Sequence, residues 1–370
     1  MQFLLNERSK AVRARSGARR FRCDPRQALE FLSPCPRHAP TPMIDCASLA
    51  RRIGVHGVWS KDETRRMGLG SFKALGGIYA VARVVRDAAE SRLGRSASPP
   101  ELLEPHVREL SADIRFVTAS AGNHGLSVAT GARIFGAQAT IVLSHAVPAD
   151  FENRLNRVPC TVVRHGDTYE ESVAFAVEAA REPGRILLAD GSWEGYVELP
   201  AMVMEGYSVI ADECMRRFAD LGTWPTHVFL QAGVGGLAAS FAAHVREFWP
   251  VQPVVIVVEP EAAPCLMEGV RHGGLTTVEG PVSVMGRLDC KVASLIALEA
   301  LTDDADAFVA ISDRESESGV SSARTAGLFT TESGAAGLAA LLPAFADTDF
   351  SSRIGLDASS RCLAVISEGV

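Results

Sequence analysis

The sequence has no apolar run of membrane-spanning length, no CxxC pair, no Cys/His cluster at zinc spacing, no short-period repeat and no surplus of positive charge. Each absence removes a class of protein. A membrane-spanning helix would need about 20 consecutive apolar residues. A net charge of −7 leaves no basic body to hold a phosphate backbone, so nucleic-acid binding is not expected. Eight cysteines lie scattered and no signal-peptide pattern opens the chain, which points to a cytoplasmic protein without a metal site.

What remains is the profile of a protein built for small-molecule chemistry. Of 370 residues 47% are hydrophobic and 22% charged, enough to bury a large core in two domains or one large α/β unit. Lys10 to Arg26 is arginine-rich in the manner of a transit peptide. Glu7 and Asp24 interrupt that composition, however, and a solvated, partly ordered N-terminal arm is the expectation.

The elements follow from hydrophobic period and punctuation. "APTPMIDCASLARRIGV" reads as a Pro-Thr-Pro turn and a short helical stretch, and "GVWSKDET" as a strand entering a loop. From Ile114 strands and helices alternate: "IRFVTA", a helix from about His124, "ATIVL", a helix, "CTVVR", a helix from about Tyr169, and "RILLA". Thr168 and Glu171 have capping-box spacing. After a helix from Glu198 to Phe218 a second alternation runs through "HVFLQAGVGG", "PVVIVVE", "AFVAI" and a final "CLAVI", with helices around Ala263 to Val270, Val292 to Ala300 and up to Phe345. This spacing predicts parallel βαβ units, hence two doubly wound open sheets. Ser91 to Pro105, rich in Ser, Pro and Gly, reads as a flexible connection.

Three stretches carry chemistry. "QAGVGGLAA", Gln231 to Ala239, opens a helix after a strand, where glycines and unpaired N–H groups suit a phosphate. A dinucleotide turn, with Glu259 as the ribose-binding acid, and a ligand-free packing turn remain alternatives there. "TASAGNHGLSVA", Thr118 to Ala129, presents the groups of Ser120, Gly122 and Asn123 at another strand-to-helix junction, to bind an anion or to cap the helix. His124 reads as a helix-start hydrogen-bonding residue. Lys73, after "KDETRRMGLGSF", is either a surface cation or an amine held for Schiff-base chemistry.

Together "SFK", "SAGNHG" and "AGVGG", with "PTPM", "WEGY", "VVEPEAAPCL" and "ESGAAGL", resemble the diaminopropionate ammonia-lyase family of the tryptophan-synthase-β-like (fold type II) pyridoxal-phosphate enzymes, over about Ala28 to Gly369. The resemblance implies a cofactor cleft between a larger domain, 1–85 with 206–370, and a smaller one, 86–205. It implies that Lys73 carries pyridoxal 5′-phosphate through a Schiff base. The turn Gly233, Val234, Gly235, Gly236 and Leu237 would take the phosphate, Asn123 the pyridine 3′-oxygen, and Ser367 of "VISEG" the pyridine nitrogen. Ser120, Ala121 and Gly122, with His124 beside them, would face the substrate carboxylate, and Asp190 of "ADGSWEGY" its distal amine or hydroxyl.

Two departures bear on substrate. Members of that family resemble each other in an aspartate directly before GNHG, where this chain has Ala121, and "SAGNHG" looks instead like threonine or serine dehydratases. The family's "GLACGEP"-like loop has become "GRLDCKVAS", Gly286 to Ser294, which adds Arg287, Asp289 and Lys291. Cys265 and Cys290 match family positions that look capable of pairing, and the family resemblance implies a homodimer. The expectation is a lyase removing a β-substituent from a small L-amino acid, diaminopropionate first, with little activity on the D-isomer. The alternatives are a dehydratase of the same fold, a silent pyridoxal-phosphate-binding protein, or a nicotinamide-dependent oxidoreductase that would leave Lys73 and "SAGNHG" without a task.

Overall fold

The computed structural model describes residues 1–8, 19–120, 122–147 and 149–370. Eleven strands are described: β1 (Gln2–Leu5), β2 (Met43–Asp45), β3 (Gly57–Asp62), β4 (Arg115–Ala119), β5 (Gln138–Leu143), β6 (Thr161–Arg164), β7 (Arg185–Leu187), β8 (His227–Gln231), β9 (Val254–Pro260), β10 (Ala307–Ile311) and β11 (Arg361–Ile366). They form a seven-stranded sheet in the order β1-β10-β9-β8-β11-β3-β2 and a four-stranded sheet in the order β6-β5-β4-β7. The four-stranded sheet is parallel throughout. In the larger one only the edge strands β1 and β2 run antiparallel.

The burial pattern explains why the central strands read as continuous apolar runs. Every residue of β8 and β10, and all but the first of β9 and β11, is buried, because helices cover both faces of a parallel sheet. Apolar residues on both faces leave no alternation to read. The Lys73–Leu93 helix packs against the Glu198–Leu221 helix at a point where side chains would not fit: a Cβ on Gly76 would lie 2.5 Å from the Val203 carbonyl, and one on Gly206 2.7 Å from Gly76 Cα. Thr168 and Glu171 make both halves of the expected capping box.

A buried charge cluster fixes the loop between β3 and the Lys73 helix. Arg66 and Glu63 are inaccessible to solvent; Arg66 Nε donates to Glu63 Oε2 at 2.7 Å and Nη1 to Glu213 Oε1 at 2.8 Å. Lys61 Nζ donates to Glu213 Oε2 at 2.5 Å and Thr41 Oγ1 to Glu63 Oε1 at 2.6 Å. Two cations thus answer two carboxylates, which is what makes their burial tolerable. Next to this cluster Met67 adopts a left-handed φ of 51°.

Several elements differ from the sequence reading. β1, β2 and the Arg26–Leu32 helix were not anticipated; they are short, and the partner of β1 lies about 300 positions away in β10. Part of the expected solvated arm lies outside the described residues. The part that is described packs down instead: Phe21 and Cys23 are buried, and Arg19 pairs with Asp304 at 2.9 Å. Ser91 to Pro105 is anchored rather than free, since Leu102 is fully buried and a 3-10 turn spans Pro100–Leu103. Its Ser and Pro content marked a turn but not the apolar residues that pin it.

Candidate active site

Lys73 is the first residue of its helix and Asp190 follows β7, so each sheet contributes one charge to the cavity between them. Lys73 Nζ donates to Asp190 Oδ2. Burial, the largest single influence, would lower the Lys73 pKa and raise that of Asp190, but the opposite charge, the hydrogen bond between them and neighbouring groups together outweigh it, so the ammonium is held above and the carboxyl below its ordinary range. Tyr207 lies under this pair with its ring centroid 5.8 Å from Nζ. Its hydroxyl is buried beside the Lys73 amine, and burial pushes its pKa up.

Opposite the lysine, Gly233 to Leu237 wrap the start of the Gly236–Phe248 helix, which has no side-chain cap. Its first N–H groups therefore face the cavity, with the partial positive charge of a helix start. Side chains are excluded by close packing. Gly235 has φ +101° and a Cβ there would meet Leu266 and Ala297 within 3.1 Å; one on Gly233 would lie 3.0 Å from Cys290 Sγ. A small, donor-lined cradle fits a phosphate. Glu259, the acid of the dinucleotide alternative, is turned away: its oxygens accept from the N–H groups of Leu266 and Met267 at 2.7 and 2.8 Å, and so cap the Cys265–His272 helix. It is fully buried, and burial pushes its acid up to about 8.

The third wall begins at β4. Ser120 Oγ accepts from the N–H of Gly122 at 3.0 Å and of Gly125 at 2.9 Å, which caps the Asn123–Phe135 helix. Asn123 Nδ2 donates to Glu368. His124 Nε2 bonds the Leu188 carbonyl at 2.8 Å, and burial first, then the Lys73 charge, hold its pKa down, so the ring is neutral. Ala121 lies outside the described residues. Ser367 lines the cavity at the end of β11, and its carbonyl accepts from the Phe72 N–H at 3.0 Å; Ser71 bridges to Glu368.

Every residue that the family resemblance assigned to cofactor or substrate, Ala121 excepted, lines this one cavity, whereas Glu259 of the dinucleotide alternative does not. Glu368, which also accepts from Thr331 Oγ1 at 2.5 Å, was missed. Only its adjacency to Ser367 could have marked it. Tyr207 and Arg154 were missed too, since nothing local in the sequence ties either to the cavity. Cys265 and Cys290 approach Gly233, Cys265 Sγ lying 3.5 Å from its carbonyl, and both are free thiols.

This geometry is shared with known proteins. Residues 35–368 match the family model described as pyridoxal-phosphate dependent enzyme. Diaminopropionate ammonia-lyase of Salmonella typhimurium is 33% identical over 360 residues, 93% of this chain and 88% of that protein, and the Escherichia coli enzyme of the same name is 29% identical over 324, with 85% and 79% covered. The crystal structure of the Escherichia coli enzyme in complex with an aminoacrylate-PLP azomethine reaction intermediate superposes with a TM-score of 0.84 at 25% identity, over 100% of this chain and 93% of that one. By these matches the chain belongs to the diaminopropionate ammonia-lyase family of the pyridoxal-phosphate-dependent enzymes.

Proposed function

We propose that the protein is a pyridoxal-phosphate-dependent ammonia-lyase that eliminates the β-substituent of a small L-amino acid and yields a 2-oxo acid and ammonia. The observation that carries this reading is the convergence of Lys73, Asp190 and the uncapped turn at Gly233 to Leu237 on one cavity. Pyridoxal phosphate, when bound, supplies an electron sink for charge developing at the substrate α-carbon. The chain's own groups do the rest. Lys73 would provide the amine that holds the cofactor and the base for the α-proton. The N–H groups of Gly233, Val234, Gly235, Gly236 and Leu237 would hold the phosphate, Asn123 the 3′-oxygen, and the neutral hydroxyl of Ser367 the ring nitrogen. Ser120, Ala121 and Gly122, backed by His124, receive the substrate carboxylate. Asp190 would face the substrate's distal amine or hydroxyl.

The reading includes a division into a body formed by 1–85 with 206–370 and a smaller unit, 86–205, in a cytoplasmic homodimer. Its support is that all strands of the larger sheet fall in the first and all of the smaller sheet in the second. 2,3-Diaminopropionate is the first substrate to assay, because relatives carry its name. Dehydration of serine, threonine or another 3-hydroxy amino acid is the second reading, favoured by Ala121 within "SAGNHG".

Protein loaded with pyridoxal phosphate should be yellow, bleach with borohydride with the label on Lys73, and release 2-oxo acid from one member of a panel of diaminopropionate, serine, threonine and 3-hydroxyaspartate. Lys73→Ala should lose the covalent label. Full labelling of that variant at another residue, or no 2-oxo acid from any L-amino acid, overturns the proposal. The L-isomer should turn over and the D-isomer should not; equal rates would refute a single base.

A further inference from the structure

Beside the cavity, which Arg287 lines and which Arg154 adjoins through Asn123, two guanidinium groups share one aromatic ring. Arg154, from the Ala149–Leu155 helix, lies over Phe151 at 5.2 Å, and Arg287, from the altered loop Gly286 to Ser294, lies over the same ring at 5.1 Å. Arg287 also rests against the backbone of Gly122, where a Cβ would come 3.0 Å from Nε and 3.2 Å from Cζ. It therefore borders the loop assigned to the substrate.

The charges around this pair do not balance. Arg154 donates only to uncharged acceptors, the Leu69 carbonyl at 3.3 Å and Asn123 Oδ1 at 3.4 Å, and forms no ion pair among the described residues. Glu368 lies 3.6 Å from Arg287 but already accepts from Asn123 and Thr331. Asp190 is taken by Lys73 and Asp289 by Lys291. One carboxylate thus answers two guanidinium groups. Burial, then the nearby Arg287 charge, hold the Arg154 pKa below its ordinary value. A further anion is what such a site lacks.

We propose, on the reading that the protein is a β-eliminating lyase, that Arg287 and Arg154 receive a second carboxylate carried on the substrate β-carbon, so that the preferred substrate class is a 3-hydroxy- or 3-amino-substituted acidic amino acid. 2,3-Diaminopropionate carries no carboxylate on its β-carbon and would leave both guanidinium groups without the anion they lack, which disfavours it. For 3-hydroxyaspartate the Cα–H and Cβ–O bonds break; the α-proton passes to Lys73, which hands a proton on to the departing hydroxyl, so that it leaves as water. The enamine so formed takes up one water and yields a four-carbon 2-oxo dicarboxylate and ammonia.

The test compares kcat/KM of the holoenzyme for L-threo-3-hydroxyaspartate, L-serine, L-2,3-diaminopropionate and O-phospho-L-serine. Wild type should prefer the dicarboxylate over serine, and Arg287→Met should cut that ratio by about 30-fold, equivalent to about 2 kcal/mol for one charge-assisted pair. Arg287→Lys should restore part of it. Inhibition by succinate, a dicarboxylate without an amine, should weaken in parallel while inhibition by butyrate changes less, and thermal melts establish that the variant is folded. An Arg287→Met ratio equal to wild type overturns the proposal, because Arg287 would then serve the α-carboxylate common to all substrates. Preference for diaminopropionate also overturns it while leaving the lyase reading intact, and preference for phosphoserine would assign the pair to a phosphate leaving group instead. If no amino acid yields 2-oxo acid, it is the lyase reading that fails.

Discussion

Lys73 and Asp190, 117 positions apart in the chain, form an ion pair that joins the two sheets across the cavity floor. The lysine needs a neutral amine to take up a carbonyl, and the aspartate opposes this by stabilising the ammonium. Removing the acid leaves burial as the dominant influence, which lowers the lysine pKa. Asp190→Asn should therefore move the pH profile for cofactor uptake to lower pH, by more than one unit. Borohydride-trapped label measured against pH checks this, and an unmoved profile would mean that the pair does not control the amine.

The glycine turn gives a prediction of a different kind. Gly235→Ala places a side chain at φ +101° against Leu266 and Ala297. The backbone strain alone costs about 1–2 kcal/mol, and the added methyl narrows the cradle. Cofactor affinity should drop about tenfold or more and the melting temperature of the apo protein should fall, read by dialysis against pyridoxal phosphate and by calorimetry. Full affinity would place the phosphate elsewhere.

For the charge cluster, loss of one member is expected to be worse than its absence from the start. Arg66→Met leaves Glu63 and Glu213 buried with Lys61 as the one remaining cation of the cluster. The expected loss of stability is about 3–5 kcal/mol, seen as a lower denaturant midpoint. Because the cluster steers the loop that carries Lys73, the folded fraction should also bind cofactor less tightly.

Cys265 and Cys290 should remain unreactive until the protein opens. Burial pushes the Cys290 thiol up to about 12 and raises Cys265 well above its ordinary value, so little thiolate exists near pH 7. Iodoacetamide should modify neither in native protein and both after denaturation without reductant. Recovery of a linked peptide would instead identify a disulfide.

How legible was all this in the sequence? The parallel alternation was, because β4, β5, β8, β9, β10 and β11 are apolar enough to announce themselves. The capping box at Thr168 and the glycine turn were legible for the same local reason. What escaped was set by distance in the chain. β1 acquires meaning only beside β10, and Glu368 only beside Asn123 and Arg287. Tyr207 looks like any helix residue until Phe72 and Lys73 pack over it. Glu259 shows the converse, a residue at the right spacing for ribose that the fold spends on capping the next helix.

The order of strands in the larger sheet carries a consequence for biosynthesis. β11 follows every other described strand of this sheet in the chain, yet it lies between β8 and β3 and pairs with both. During translation the two flanks of the sheet must wait apart, each with an open hydrogen-bonding edge, until Arg361–Ile366 slides between them. Only then does the tail reach Phe72 and lock the lysine segment in place. A nascent chain halted before that insertion would expose two sticky edges and no catalytic centre, which makes chaperone protection until β11 has emerged more important here than in a protein whose central strand emerges first.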